Sequence, residues 1–366
     1  MQNDNVAAAS SSAVSIDGTA QAAPKKNKPK GTKFRQQKLP AWQPILTAST
    51  VIPAFIGVGV LFIPLGAILL TASNSVEEYN YDYTECRSSE DNTKNCSTVI
   101  ATDVQATCTC KIHLKLPNDF DGDVYFYYGL SNFYQNHRRY VKSRNDEQLL
   151  GRLDATSGCE PFEMNETHGV RIAPCGAVAN SMFNDTFKLT EGDDGEGALV
   201  NVTYDGVAWP VDKARKFMNP SNMDEFDKYA KPIAWSKPAN ELDPTDKDNN
   251  GLTNVDFMVW MRTAALPTFR KLWRKLDRSH KGYTNGLPKG NYTLQVAYRY
   301  PVISFHGQKR FIISTTSWIG GKNSFLGVAY IVVGSLCVVL GIVFGVIHWK
   351  FGKSVTDVGS SHGRAP

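Results

Sequence analysis

Residues 45–70 read ILTASTVIPAFIGVGVLFIPLGAILL, a run without one ionisable side chain. As an α-helix at 1.5 Å per residue it would be about 39 Å long, against a bilayer hydrocarbon core of about 30 Å. Such a run predicts a transmembrane helix, because in lipid a lone span must satisfy every backbone N–H and C=O within itself. Pro53 and Pro64 should kink the helix rather than end it. A cleaved signal would start nearer the N-terminus and hold only about 7–15 apolar residues.

A second uncharged run, FLGVAYIVVGSLCVVLGIVFGVI, covers 325–347. Two spans put both termini on one side. Lys25, Lys26, Lys28, Lys30, Lys33, Arg35 and Lys38 precede the first, and Lys350 and Lys353 follow the second. The positive-inside rule then makes both tails cytosolic. The expected organisation is a disordered basic tail over 1–44, spans at 45–70 and 325–347, an outer domain at 77–321 and a short tail at 348–366. Residues 1–40 hold too little large apolar surface to fold alone. The formal charge of +5 comes largely from these flanks, so it points to anionic lipid headgroups rather than to nucleic acid.

Six of the seven cysteines, Cys86, Cys96, Cys108, Cys110, Cys159 and Cys175, fall in the outer domain. An even number in an oxidising compartment predicts three disulfides. CTCKIHLKL at 108–116 alternates as a half-buried strand, with Cys108 and Cys110 on one face. They should therefore bond to other cysteines rather than to each other. Six cysteines allow 15 pairings; we favour a nested arrangement, Cys86 with Cys110 and Cys96 with Cys108, leaving Cys159 and Cys175 to close a local loop. Sequons begin at Asn95, Asn165, Asn184, Asn201 and Asn291, all on the expected outer side. Asn95 is the poorest acceptor because Cys96 is its middle residue, so Asn165, Asn184, Asn201 and Asn291 are the glycosylation candidates.

Further strands are expected at DVYFYYGL (123–130), NYTLQVAYRY (291–300) and KRFIISTTSW (309–318), with mostly loop over 188–250. Phe269, Leu272, Trp273 and Leu276 follow an i, i+3, i+4, i+7 pattern with cations between them. They predict an amphipathic helix starting near Pro267.

No catalytic constellation emerges. GSSHG at 359–363 matches G-x-S-x-G, but no strand precedes it and no helix follows. No H-E-x-x-H or phosphate-loop motif occurs, and no metal or cofactor is expected. DKDNNG at 246–251 resembles the start of a calcium loop, yet its twelfth position is Phe257 where a bidentate Glu belongs; a self-capped polar turn is the preferred reading. Arg138, Arg139, Lys142 and Arg144 lie among aromatics, either as a solvated face or as a patch for an acidic partner loop or lipid phosphate. In the second span Gly327, Gly334 and Gly341 recur every seven residues, and Gly341 with Gly345 forms G-x-x-x-G; Gly59 and Gly66 repeat the spacing in the first. Such faces let helices approach each other or a partner closely. No span carries an ionisable residue, which argues against an ion or proton path.

YQNHRRYVKSR (134–144), CEPF (159–162), PCGAVANSMFNDTF (174–187), DNNGLTNVDFMVWMRTAALPTFRKL (248–272) and GGKNSFLGVAYI (320–331) together resemble the two-span accessory β-subunits of type IV P-type ATPases, the phospholipid flippases (the Cdc-fifty family). The resemblance implies a non-catalytic subunit whose outer domain is a mainly antiparallel β-sandwich with helical insertions. It implies a heterodimer with the ATPase, whose folding, exit from the endoplasmic reticulum and activity need the subunit. It further implies aminophospholipid cargo, phosphatidylserine above all, and residence in the secretory pathway, from endoplasmic reticulum and Golgi to endosomes and plasma membrane. Candidate partner contacts are Arg138, Arg139, Arg144, Gly334, Gly341 and Gly345. The alternatives from other classes are a subunit of a two-span ligand-gated or proton-gated channel and a membrane-tethered hydrolase. The spans lack pore polarity for the first, and no nucleophile and base pair serves the second.

Overall fold

The computed structural model describes residues 32–35, 37–40, 46–103 and 106–352. Most of the expected N-terminal tail, and everything beyond Gly352, including the GSSHG run, lies outside them. The chain divides into Met1–Val51 and Ile52–Pro366. In the first part the Lys38 N–H donates to the Lys33 carbonyl at 2.8 Å. The second part holds most of the first apolar helix, the domain between the two apolar helices and the second apolar helix.

The first apolar helix runs Ala48–Asn74, continuing through Pro53 and Pro64 and past the expected end at residue 70. The second runs Phe325–Phe351. Between them lie two larger antiparallel sheets and two two-stranded ones, Phe120–Asp121 with Gly286–Leu287 and Met164–Asn165 with Val170–Arg171. In the three-stranded sheet, Gly290–Tyr298 is central, between Cys108–Leu116 and Thr186–Glu191. The alternation of 108–116 explains the first edge: Cys108, Cys110, Ile112, Leu114 and Leu116 are all buried, as a period of two requires. The five-stranded sheet runs Glu78–Asp82, Lys309–Ser314, Tyr125–Leu130, Phe269–Leu276 and Val202–Thr203. The two sheets meet through aromatic rings. Phe187 of the smaller sheet lies 4.9 Å from Phe311 and 5.2 Å from Trp273 of the larger, centroid to centroid.

The disulfides join Cys86 to Cys110, Cys96 to Cys108 and Cys159 to Cys175. The first two fasten the segment after the first helix to the edge strand Cys108–Leu116. Cys337, in the second apolar helix, is the free cysteine among the described residues.

Residues 269–276 form a strand, not the amphipathic helix that their pattern predicts. Pairing with Tyr125–Leu130 shifts register so that Phe126 faces Arg274 while Tyr127 faces Leu272. Trp273 is thus the extra residue of a β-bulge, and one inserted residue turns a period of two into a helix-like spacing. The core-side positions opposite Tyr128 and Phe126 belong to Lys271 and Arg274. Both cations serve the helix Val255–Met261, which lies against this strand. Lys271 Nζ donates to the carbonyls of Val259, Trp260 and Arg262 at 2.6–3.0 Å, satisfying acceptors that the helix end leaves open. Arg274 holds Asp256, in the first helical turn, through two bonds of 2.6 and 3.0 Å. Burial pulls the Lys271 ammonium down to about 7.

A second buried cation joins the sheets. Lys309 and Asp185 have fully buried side chains 2.6 Å apart. Asp185 Oδ2 also accepts from the Tyr83 hydroxyl at 2.9 Å, and Oδ1 accepts from the Arg299 and Tyr300 N–H groups at 2.7 Å. Lys309 Nζ also donates to the Tyr300 carbonyl and sits 2.9 Å from the centroid of the Tyr298 ring. Burial draws its pKa down to about 8, opposed by Asp185.

Removing one partner of a buried pair leaves the other charge uncompensated, at a cost of about 3–5 kcal/mol. Asp185→Asn, which keeps the sequon, should therefore unfold the domain between the helices at clearly lower temperature. Combining it with Lys309→Met should recover much of the loss. Tryptophan fluorescence melts of the full chain in detergent would show this, and additive losses would contradict a coupled pair.

Candidate functional site

Ala48–Asn74 and Phe325–Phe351 are long and apolar enough to cross a membrane. Gly59, Gly66, Gly327, Gly334 and Gly341 are buried between them. A Cβ at Gly66 would stand 2.8 Å from the Gly327 carbonyl oxygen, one at Gly327 2.8 Å from the Leu70 nitrogen, and one at Gly59 2.9 Å from the Gly334 oxygen. Real Cβ atoms do not approach so closely, so backbone rests on backbone here, the contact by which apolar helices associate in lipid. Edge-on pairs Phe62–Tyr330, at 4.9 Å, and Phe55–Phe344, at 5.6 Å, flank the seam. The G-x-x-x-G pair divides: Gly341 meets Ile56, whereas a Cβ at Gly345 would meet nothing within 4 Å.

The helices continue into neighbouring strands. Glu78–Asp82, four residues beyond the first helix, pairs with Lys309–Ser314, which leads to the second. Glu77 and Thr315 exchange backbone and hydroxyl bonds of 3.0 Å, and the Asn323 N–H donates to Ser73 Oγ at 3.0 Å. Trp318, before the second helix, and Trp349, in its last turn, are 76% and 88% exposed, placed where aromatic side chains suit a membrane–water boundary.

The basic stretch does not act as one patch. Arg138 and Arg139 are exposed on the short helix Arg138–Lys142. Arg144 is half-buried, 3.1 Å from Asp146, and donates to the Met261 carbonyl. Arg138 and Arg139 leave their guanidinium groups open to a partner, beside the exposed Tyr134.

The sequons occupy different settings. Asn291 is exposed, with Nδ2 donating to Asp193. Asn165 is half-exposed at the end of the short strand Met164–Asn165, where its Oδ1 accepts from the Thr167 N–H in the turn that follows. Asn201 and Asn184 are half-buried. Asn95 spends its Nδ2 on Glu85, 2.8 Å away.

The DKDNNG loop closes on itself. Asp246 Oδ1 caps the Asp248 N–H, Asn250 Oδ1 accepts from the N–H groups of Asp243 and Gly251, and Asn249 Nδ2 donates to Asp243. Phe257 is fully buried. The sulfurs of Cys86, Cys96 and Cys110 lie within 4.8 Å of one another, but all three are in disulfides and offer no thiolate.

A profile of the "LEM3 (ligand-effect modulator 3) family / CDC50 family" matches residues 69–354. The chain belongs to the CDC50/LEM3 family. It is 48% identical over 343 residues to "Cell cycle control protein 50A" of Mus musculus, covering 91% of this chain and 92% of that one. It is 45% identical over 346 residues to "Cell cycle control protein 50B" of Homo sapiens (90% and 96% covered). It is 40% identical over 348 residues to "ALA-interacting subunit 3" of Arabidopsis thaliana (93% and 92% covered).

Several residues in or beside the stretches that carry this CDC50 likeness are buried and hold the interior together. Gln135, fully buried, accepts from the Ala264 N–H, and Gln148 accepts from Cys175 while donating to Leu153 and Ile172. Gly176 has φ +96°, and a Cβ there would lie 2.2 Å from the Ser143 oxygen, so no other residue fits. Trp260 donates to the Val178 carbonyl at 2.7 Å. The sequence did not reveal the roles of Asp185, Lys271 and Lys309; cations and a carboxylate inside strand patterns were the available signal.

Gly66→Leu should force the helices apart at a cost of about 1–3 kcal/mol and lower the temperature at which the detergent-solubilised chain loses its monodisperse elution peak. Gly345→Leu should leave that temperature unchanged. Equal effects would contradict the seam.

Proposed function

We propose that this chain is the non-catalytic accessory subunit of a type IV P-type ATPase, bound as a heterodimer. In this reading it is needed for the pump's folding, exit from the endoplasmic reticulum and transport of aminophospholipids, phosphatidylserine foremost, from the outer to the cytosolic leaflet. The single observation that supports this most is membership of the CDC50 family, which includes a relative named as an interacting subunit. The chain's build suits the role. A stapled domain held at both ends by paired apolar helices is a rigid body that can dock on the outside of another membrane protein. No Asp-Lys-Thr-Gly phosphorylation motif occurs in the sequence, so ATP chemistry falls to the partner.

Both tails are then cytosolic, and the domain, a sandwich of the two sheets with helical insertions, stands in the lumen or outside the cell. Asn165, Asn184, Asn201 and Asn291 carry its glycans. Arg138 and Arg139 meet acidic loops of the ATPase, and the open face around Gly345 receives a partner helix. The Gly334 and Gly341 face is already occupied by the first helix, which confines partner contact to the other sides of the pair.

Purification of the tagged chain in mild detergent should bring down a P-type ATPase in equal amount, recognised by mass spectrometry. Arg138→Glu with Arg139→Glu should weaken that recovery severalfold while leaving the chain's own melting temperature intact. A homotrimer without an ATPase would overturn the proposal and favour the channel reading.

A further inference from the structure

Beside the Asp185 cluster lies a cavity of about 170 Å³. One water needs about 10–15 Å³ of comparable space, so it has room for a ligand of sugar-ring size. Phe183, Tyr128 and Trp235 are buried in its wall, Trp273 is half-buried there, and the exposed Thr186 and Ser236 stand at its mouth. Two buried polar atoms in the lining lack any hydrogen-bond partner: Asn184 Oδ1 and Arg299 Nε. Buried donors and acceptors are otherwise nearly always matched. An acceptor and a donor left open in one aromatic-walled hollow ask for a ligand with both functions and with apolar faces. A pyranose offers C–H faces to rings and hydroxyl or amide groups at its edge.

Asn184 and Thr186 are also the first and third residues of the sequon Asn184-Asp185-Thr186. The Asn184 amide therefore enters the lining of a cavity at the point where a glycan would begin. We propose that this cavity seats the innermost N-acetylhexosamine of a glycan on Asn184, with aromatic rings against the sugar face and Arg299 Nε–H donating to its edge. The inference rests on the reading that Asn184 is glycosylated. Attachment joins Asn184 Nδ2 to the sugar C1 as the lipid diphosphate of the donor leaves with the amide proton. The acceptor is modified before folding, and Asp185 then draws the same segment into the core through Lys309 and Tyr83. The seated sugar completes the wall around the buried carboxylate, which makes the glycan part of the packing rather than a surface ornament.

The test uses the full-length chain from a glycosylating host. Glycopeptide mass spectrometry first reads occupancy at each sequon. Peptide:N-glycosidase in heavy-oxygen water then marks each released site. On native protein, Asn184 should be released at least tenfold more slowly than the exposed Asn291, and at the same rate after denaturation. Arg299→Gln should quicken native release at Asn184 severalfold without changing Asn291. Ser236→Trp, which crowds the mouth from an exposed position, should do the same where Arg299→Gln does not fold. An unoccupied Asn184 overturns the glycosylation reading and the seat with it. An occupied Asn184 released as fast as Asn291 overturns the seat alone, as does slow release that neither variant quickens, since the recess would then suffice.

Discussion

The Asp185 carboxylate accepts from the Tyr83 hydroxyl, the Lys309 ammonium and the N–H groups of Arg299 and Tyr300. The carboxylate, at the entry to the strand Thr186–Glu191, and its partners bring together four places in the chain, the other three being the segment after the first apolar helix, the end of Gly290–Tyr298 and the start of Lys309–Ser314. A buried carboxylate is tolerable only when its acceptor capacity is filled, so the segments must arrive together. The ring centroid of Tyr298 under Lys309 and the Phe187 contacts with Phe311 and Trp273 then fill the space around it. Polar specificity at the centre and aromatic packing around it fix how the two sheets meet.

The same constraint reaches the membrane-spanning helices. Lys309 opens the strand that pairs with Glu78–Asp82, and these strands continue the two apolar helices. Backbone contact at Gly59, Gly66, Gly327 and Gly334 closes the pair below, and the Glu77–Thr315 bonds close it above. The domain is therefore fastened to its helices through two hydrogen-bonded strands rather than through loose linkers. A partner that grips the helices would also orient the domain.

Much of this was legible in the sequence because its signals are local and strong. An uncharged run of 45–70 needs no tertiary context, and the alternation at 108–116 marks both a strand and the shared face of two cysteines. The failure at 269–276 has a specific cause: a bulge at Trp273 disturbed the period, and Lys271 and Arg274 took core-side positions in order to clamp the helix Val255–Met261. No pattern of apolar residues announces a cation that satisfies helix-end carbonyls. The Asp185 network was hidden for a similar reason, since its members lie as much as 226 positions apart (Tyr83 to Lys309) and only folding unites them. The basic stretch at 138–144 was visible as charge, but its division into the open Arg138 and Arg139 and the engaged Arg144 depends on Asp146 and Met261. Likewise the glycine spacing was plain, while the separation of Gly341 from Gly345 required the facing helix.

A disulfide-stapled domain coupled to two glycine-packed helices suits the proposed role of bracing a transport protein without performing its chemistry. The most direct measurement is transbilayer movement of labelled phosphatidylserine in vesicles containing the ATPase alone, this chain alone, or both. The account predicts ATP-dependent movement only when both are present. Equal transport by the ATPase alone, or lipid or ion movement through this chain by itself, would contradict it.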